Sequence, residues 1–253
     1  AKLPGGSTRI VDRYSSYYPV PIGNSEDLIL IDGGLDKGAK KLERVIKERS
    51  LGMGAIKAVL LTHVHADHIG AIKAMVDKGI DFKVFVSEED NEVLQGKKPS
   101  DGKLQKLTDN LPRLSAAIPG VETEIIKGGD LIRFGAQLSV RAFALPGHTK
   151  GSLGYALKSE LDGSSTLYVG DAFDLTPDGV KEAPWLVSGD VGAGRQSIID
   201  LTGRITREGI EIDAVVPAHS GDASFGNLRR HRASQMVLES ELITLRPSCG
   251  NAY

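Results

Sequence analysis

The stretch Leu60-Leu61-Thr62-His63-Val64-His65-Ala66-Asp67-His68-Ile69-Gly70 constrains this chain more than any other. It gathers three imidazoles and a carboxylate within six residues, directly after an apolar run at 56–61 that predicts a buried strand. Beyond it, Ile69, Ile72, Met75 and Val76 recur at helical spacing, so the polar cluster falls on a strand-to-helix turn. Neutral imidazoles and carboxylates are good ligands for zinc and for ferrous iron. Histidines two apart in an extended turn can point to one side, while Asp67 and His68 face a second point nearby. A lone histidine is ordinarily a core or surface residue. Four ligand-type side chains at this density read as a metal site.

Three further stretches carry residues of the same kind: Pro146-Gly147-His148-Thr149, Gly170-Asp171-Ala172 and Pro217-Ala218-His219. Together with the His-x-His-x-Asp-His pattern of residues 63–68, they resemble, in order, the motifs of the metallo-β-lactamase superfamily. The resemblance covers nearly the whole chain. It implies a four-layer αββα sandwich, with residues 1–253 forming a single domain. It also implies a dinuclear centre, with His63, His65 and His148 on one metal, Asp67, His68 and His219 on the second, and Asp171 bridging both. Two zinc ions are expected, iron and manganese being the other metals this donor set accepts.

The activity so implied is hydrolysis of a small-molecule ester, thioester, lactone or amide by a hydroxide held between the metals, as in the glyoxalase II and lactonase branch. Asp67 is then also a catalytic candidate, holding that hydroxide in line or carrying its proton. Two divalent cations, two carboxylates and a hydroxide leave roughly one net positive charge, which suits an anionic intermediate. Where this chain has Asp171, one branch of the family's β-lactamases has cysteine, which points away from that branch. His65 stands where the flavodiiron oxygen reductases usually carry Glu. The alternative is a mono-iron sulfur dioxygenase resembling the persulfide dioxygenases, with iron on His63, His148 and Asp171. The Gly-Arg-Thr-Asp stretch usual in those enzymes has no counterpart after Asp171. A metal-stabilised binding protein without catalysis is a third reading, disfavoured by the complete ligand set.

Composition narrows the partners. A net charge of −2 leaves no basic footprint, so nucleic acid is not expected. No apolar stretch reaches transmembrane length, so neither is a membrane. The single Cys249 excludes an intramolecular disulfide. The chain begins at Ala1 without Met, as a processed or trimmed chain would, and a soluble protein either of the cytoplasm or exported after loss of a signal peptide fits equally. The oligomeric state is left open.

Along the chain, residues 8–22 predict one or two opening strands. Residues 28–31 form a strand ending at Asp32-Gly33-Gly34, where Asp32 is expected to orient the metal loop. Leu35, Ala39, Leu42 and Ile46 mark a helix, 82–86 a strand, and Glu88-Glu89-Asp90 the acidic start of a short helix. The polar insert at 95–120 spaces Leu104, Leu107, Leu111 and Leu114 as a helix. Strands follow at 123–126, 131–134, 138–145, 153–157 and 166–169, with hairpin turns at Gly128-Gly129-Asp130 and Asp162-Gly163-Ser164. Residues 174–194 form a long loop holding Trp185. Its glycines suggest a phosphate cradle only superficially, since no Lys-Ser/Thr follows. A helix at 198–205, a strand at 214–216 and a helix at 226–246 complete two halves, about 8–130 and 131–246. The insert and the loop are expected to select the substrate, with Trp185 either an apolar pocket wall or an anchor for its loop.

Overall fold

The computed structural model describes residues 3–219 apart from 112, 113, 177 and 178, and gives the backbone alone for 176 and 179–181. The helix expected at 226–246 and Cys249 lie outside the described residues. Six strands build the first sheet in sequential order: β1 (Ile10–Asp12), β2 (Ser15–Pro21), β3 (Leu28–Ile31), β4 (Ile56–Leu60), β5 (Lys83–Val86) and β6 (Thr123–Ile125). The first three are antiparallel neighbours, and β3 through β6 run parallel. Parallel neighbours need crossovers, supplied here by α1 (Lys40–Lys47), α2 (Gly70–Asp77) and α3 (Glu88–Leu94) with α4 (Lys103–Thr108).

The second sheet has the order β13-β10-β9-β8-β7, from β7 (Leu131–Phe134), β8 (Leu138–Ala144), β9 (Leu153–Ser159), β10 (Ser165–Gly170) and β13 (Ala214–Pro217). Only the β10–β13 pair is parallel. Its crossover contains the small hairpin β11 (Phe173–Thr176) and β12 (Gly179–Glu182) and the helix α5 (Val191–Glu208).

The strands alternate between two packed faces. Leu28 and Leu30 point outward with Val59 onto Leu42, Ile72 and Met75 of the helices. Ile29 and Ile31 point the other way, meeting Val140, Tyr155 and Val216 between the sheets. Leu167, Val169 and Val215 cover the outer face of the second sheet, beneath Leu201 of α5. Three apolar layers thus separate helices, sheet, sheet and helix, the expected αββα sandwich. Each buried Leu or Ile contributes roughly 1.5–3 kcal/mol, so a strand apolar on both faces is held in place by burial alone.

Four expectations need correction. Gly128-Gly129-Asp130 is no hairpin turn, because β6 and β7 on either side belong to different sheets. Val76 is exposed although it continues the apolar spacing of α2. The insert is helical only over α4, with its leucines on the surface. The 174–194 loop contains strands β11 and β12, and its last glycines open α5, which Asp190 caps by accepting from Ala193 N–H at 3.0 Å.

Candidate metal centre

All seven predicted ligands meet at one end of the sandwich. The turn after β4 carries His63, His65, Asp67 and His68; the β8–β9 loop carries His148; the ends of β10 and β13 carry Asp171 and His219. Contacts across the sheets fix this convergence. Tyr155 of β9 donates its hydroxyl to Leu61 O at 2.6 Å, and Leu153 N donates to Thr62 O at 2.7 Å. Gly170 adopts φ 54°, and a Cβ there would overlap the Thr62 side chain, so glycine is required for Asp171 to reach the histidines.

Two groups of donors result. His65 Nδ1 lies 3.1 Å from His63 Nε2 and 2.9 Å from His148 Nε2. Two ligands of a tetrahedral zinc with bonds of ~2.0–2.1 Å sit roughly 3.3 Å apart, so this nitrogen triangle has a fitting size. Beside it, Asp67 Oδ2 lies 3.6 Å from His68 Nε2 and 3.4 Å from His219 Nε2. Asp171 stands between the groups, its oxygens 3.3 Å from His148 Nε2, 3.3 Å from His68 Nε2 and 2.9 Å from His219 Nε2. Of the four buried polar side-chain atoms without a hydrogen-bond partner among the described residues, two, His68 Nε2 and Asp171 Oδ1, lie here. Buried polar atoms are rarely left so, and a cation between them satisfies both.

The rings are aimed by what holds their other nitrogens. His65 Nε2 is 3.1 Å from Asp101 O, and His219 Nδ1 is 2.8 Å from Tyr14 O. A carbonyl only accepts, so each of these nitrogens carries the proton and the opposite one is free to ligate. His68 Nδ1 lies 3.0 Å from Asp32 Oδ2, another acceptor. Asp32 also accepts from Thr62 N at 2.8 Å and from Thr62 Oγ1 at 2.8 Å. With its donor used there, the Thr62 hydroxyl is the acceptor for His63 Nδ1 at 3.2 Å. Asp32 therefore orients one ring of each group, the role its turn position suggested.

The two groups also differ electrostatically. Burial lowers the pKa of His63, His65 and His148, the last to about 3, leaving three neutral imidazoles. At His68 and His219 burial also disfavours the charge, but Asp171 and Asp67 outweigh it, raising His68 well above its usual range and His219 to about 9. Asp171 is desolvated too, yet the surrounding imidazoles hold its carboxyl well below the usual value.

Two positioning residues gave no signal in the sequence. Asp101 acts through a backbone carbonyl. Asp90 is not a solvated helix-start carboxylate: it is buried, and its Oδ2 accepts from Val64 N at 2.9 Å and Thr149 Oγ1 at 3.0 Å, joining two ligand loops. Burial pushes its carboxyl up to about 6, against the two bonds that favour the charge. An unfolded carboxyl ionises near ~4, so between pH ~4 and ~6 the unfolded chain sheds the proton first and stability falls by up to about 3 kcal/mol. Asp90→Asn should remove that loss, gaining on the wild type by up to ~3 kcal/mol between pH 4 and 7. Urea unfolding of both proteins at the two pH values checks this; parallel behaviour would exclude Asp90 as the cause. Trp185 is 64% exposed with Lys103 Nζ 5.2 Å from its ring centre, and so is no buried loop anchor.

Fold and site together define a metal-centred αββα protein. The metallo-β-lactamase superfamily model matches residues 15–246, and the chain belongs to that superfamily. The chain is 30% identical to the uncharacterised protein YobT of Bacillus subtilis, over 61% of this chain and 60% of that one. It is 26% identical to the probable metallo-hydrolase YflN of the same organism, over 79% and 78%. A hydroxyacylglutathione hydrolase of Buchnera aphidicola is 28% identical over 56% of this chain and 43% of its own length. The matches to YobT and to the probable metallo-hydrolase YybB, also of Bacillus subtilis, span 60% of each relative. Among solved structures, a B3 metallo-β-lactamase with an active-site glutamic acid superposes with a TM-score of 0.66 at 21% identity, covering 97% of this chain and 91% of that one. No helix among the described residues is long and apolar enough to cross a membrane.

Proposed function

We propose that this protein is a dinuclear metal-dependent hydrolase that binds two zinc ions and cleaves a small-molecule ester, thioester, lactone or amide. The observation that carries the reading is Asp171, one carboxylate with a side chain 10% exposed that lies within 4 Å of histidines from both donor groups. His63, His65 and His148 would hold the first ion as neutral imidazoles and Asp67, His68 and His219 the second, with the Asp171 carboxylate available to both. When bound, such a pair polarises a carbonyl and lowers the pKa of water toward ~7. Asp67, its side chain 16% exposed beside the buried His68, is placed to accept the proton of an attacking water and release it to solvent. The relatives' names, probable metallo-hydrolase and hydroxyacylglutathione hydrolase, support hydrolysis of an acyl compound. Residues 1–253 are taken to act as one domain.

Zinc saturation followed by elemental analysis should give two ions per chain. One ion at most would end the dinuclear reading and promote the mono-iron alternative on His63, His148 and Asp171. A panel of thioesters, lactones, β-lactams and phosphodiesters should then show turnover on the carbonyl compounds. Turnover confined to the phosphodiesters would reassign the reaction.

A further inference from the structure

Different parts of the fold frame the two donor groups. Around the first, the supporting residues come from the chain after β5. Asp101 O accepts from His65 Nε2, Gly189 N donates to His148 O at 3.0 Å, and Asp90 joins Val64 to Thr149. Around the second, they come from the start of the sequence. Strands β1 and β2 form a hairpin in which Asp12 faces Ser15 across the two-residue turn Arg13-Tyr14. Tyr14 O accepts from His219 Nδ1, and the Tyr14 ring stacks on the His219 imidazole with centroids 5.8 Å apart. Ser15 is buried and donates its hydroxyl to Asp67 O at 2.9 Å. That carbonyl belongs to the peptide joining Asp67 to His68, so one hydroxyl pins the backbone between two ligands.

The turn of this hairpin is held against its own preference. Arg13 adopts φ 60°, a left-handed conformation disfavoured for any residue with a Cβ. Such a turn persists only where surrounding contacts hold it. The buried Asp12 supplies them, its Oδ2 accepting from Leu35 N at 2.9 Å and from Asp36 N at 2.6 Å. The segment it grips also steadies the third ligand, since Gly33 N donates to His68 O at 2.6 Å and Gly34 O accepts from Gly70 N at 2.7 Å. Asp67, His68 and His219 are thus each tied to the hairpin, directly or through the 33–36 turn. Among the described residues, the bonds that aim His63, His65 and His148 come from elsewhere. We infer that the β1–β2 hairpin sets the affinity of the second metal site alone, with Ser15 as its positioning residue. The inference rests on the dinuclear reading and adds to it a separate support for one of the two sites.

Stepwise zinc constants, taken from competition with a chelating dye, test this without turnover. His219→Ala, which lacks a ligand of the second group, identifies which constant belongs to that site. In Ser15→Ala the same constant should weaken about 10-fold, the lower end of what such supporting partners are worth, while the other stays unchanged. Equal losses at both sites, or no loss at the second, would make Ser15 a residue of the fold alone and overturn the inference. Coupling between binding events is reciprocal, so the wild type offers a measurement that needs no variant. Zinc filling the second site should slow hydrogen exchange of the amides at 10–17, and zinc filling the first should not. Protection complete with the first site filled, or absent with both filled, would equally overturn it. A wild type that takes one zinc at saturation would defeat the dinuclear reading, and the inference with it. Two bound ions beside a hairpin indifferent to the second would leave that reading standing and defeat the inference only.

Discussion

With Asp171→Ala, hydrolysis is expected to fall by about 10³-fold while one metal stays bound. The side chain removed is the one carboxylate close to both donor groups, 3.3 Å from His148 Nε2 and 2.9 Å from His219 Nε2. The first group keeps three imidazoles, all held neutral by burial and two of them aimed by Asp101 O and the Thr62 hydroxyl. The second group keeps Asp67, His68 and His219 but loses the neighbouring anion, so a second ion there would be held less tightly. Removing a preorganised electrostatic partner of a reacting centre typically costs 10²–10³ in rate, and loss of the second ion adds to that. Elemental analysis beside kcat/KM decides the matter. Wild-type turnover with two ions bound would remove Asp171 from the centre.

The second large effect is expected at Asp32, which touches no substrate. It sits at φ 57°, a left-handed conformation that Asn tolerates, so Asp32→Asn keeps the backbone and tests the acceptor alone. Asp32 accepts three bonds, from Thr62 N, Thr62 Oγ1 and His68 Nδ1. An amide has one accepting oxygen, and its NH2 would face donors at the other position. Each buried donor left unmatched costs ~1–3 kcal/mol, so a loss of about 3 kcal/mol in unfolding free energy is expected. His68 also loses its aim, and partners of this kind are worth about 10–100-fold in metal affinity. The stability loss should appear in urea unfolding of the metal-free protein, and the affinity loss in zinc competition with a chelating dye. A stability loss with unchanged zinc affinity would make Asp32 a folding residue only.

The candidate ligands and the layers of the fold were legible in the chain because both rest on local pattern. His63 through His68 lie side by side in sequence, and residues 28–31 and 58–60 are apolar on both faces, as strands covered on both sides must be. Asp32 was readable as a turn residue next to the metal loop. Asp90 was not, because the same three acidic residues that stabilise a helix start also hide one that turns inward; only the approach of Val64 and Thr149 singles it out. The leucines of the insert misled in the opposite sense. Their helical spacing is real over Lys103–Thr108, but spacing does not say whether a partner covers the face, and here none of the described residues does so fully.

By itself, then, the sequence determined which side chains can hold a metal and that two apolar-faced sheets must pack between helices, since residue type and period-two burial are properties of short stretches. The tertiary structure decided how those ligands divide into two groups and that Asp171 stands between them. It also decided which nitrogen of His65, His68 and His219 is free, and that the start of α4 meets the loop before α5 through Leu104 N and Leu186 O. Each of these depends on a contact between residues 36 to 205 positions apart, and such distances are set only when the sheets pack against each other.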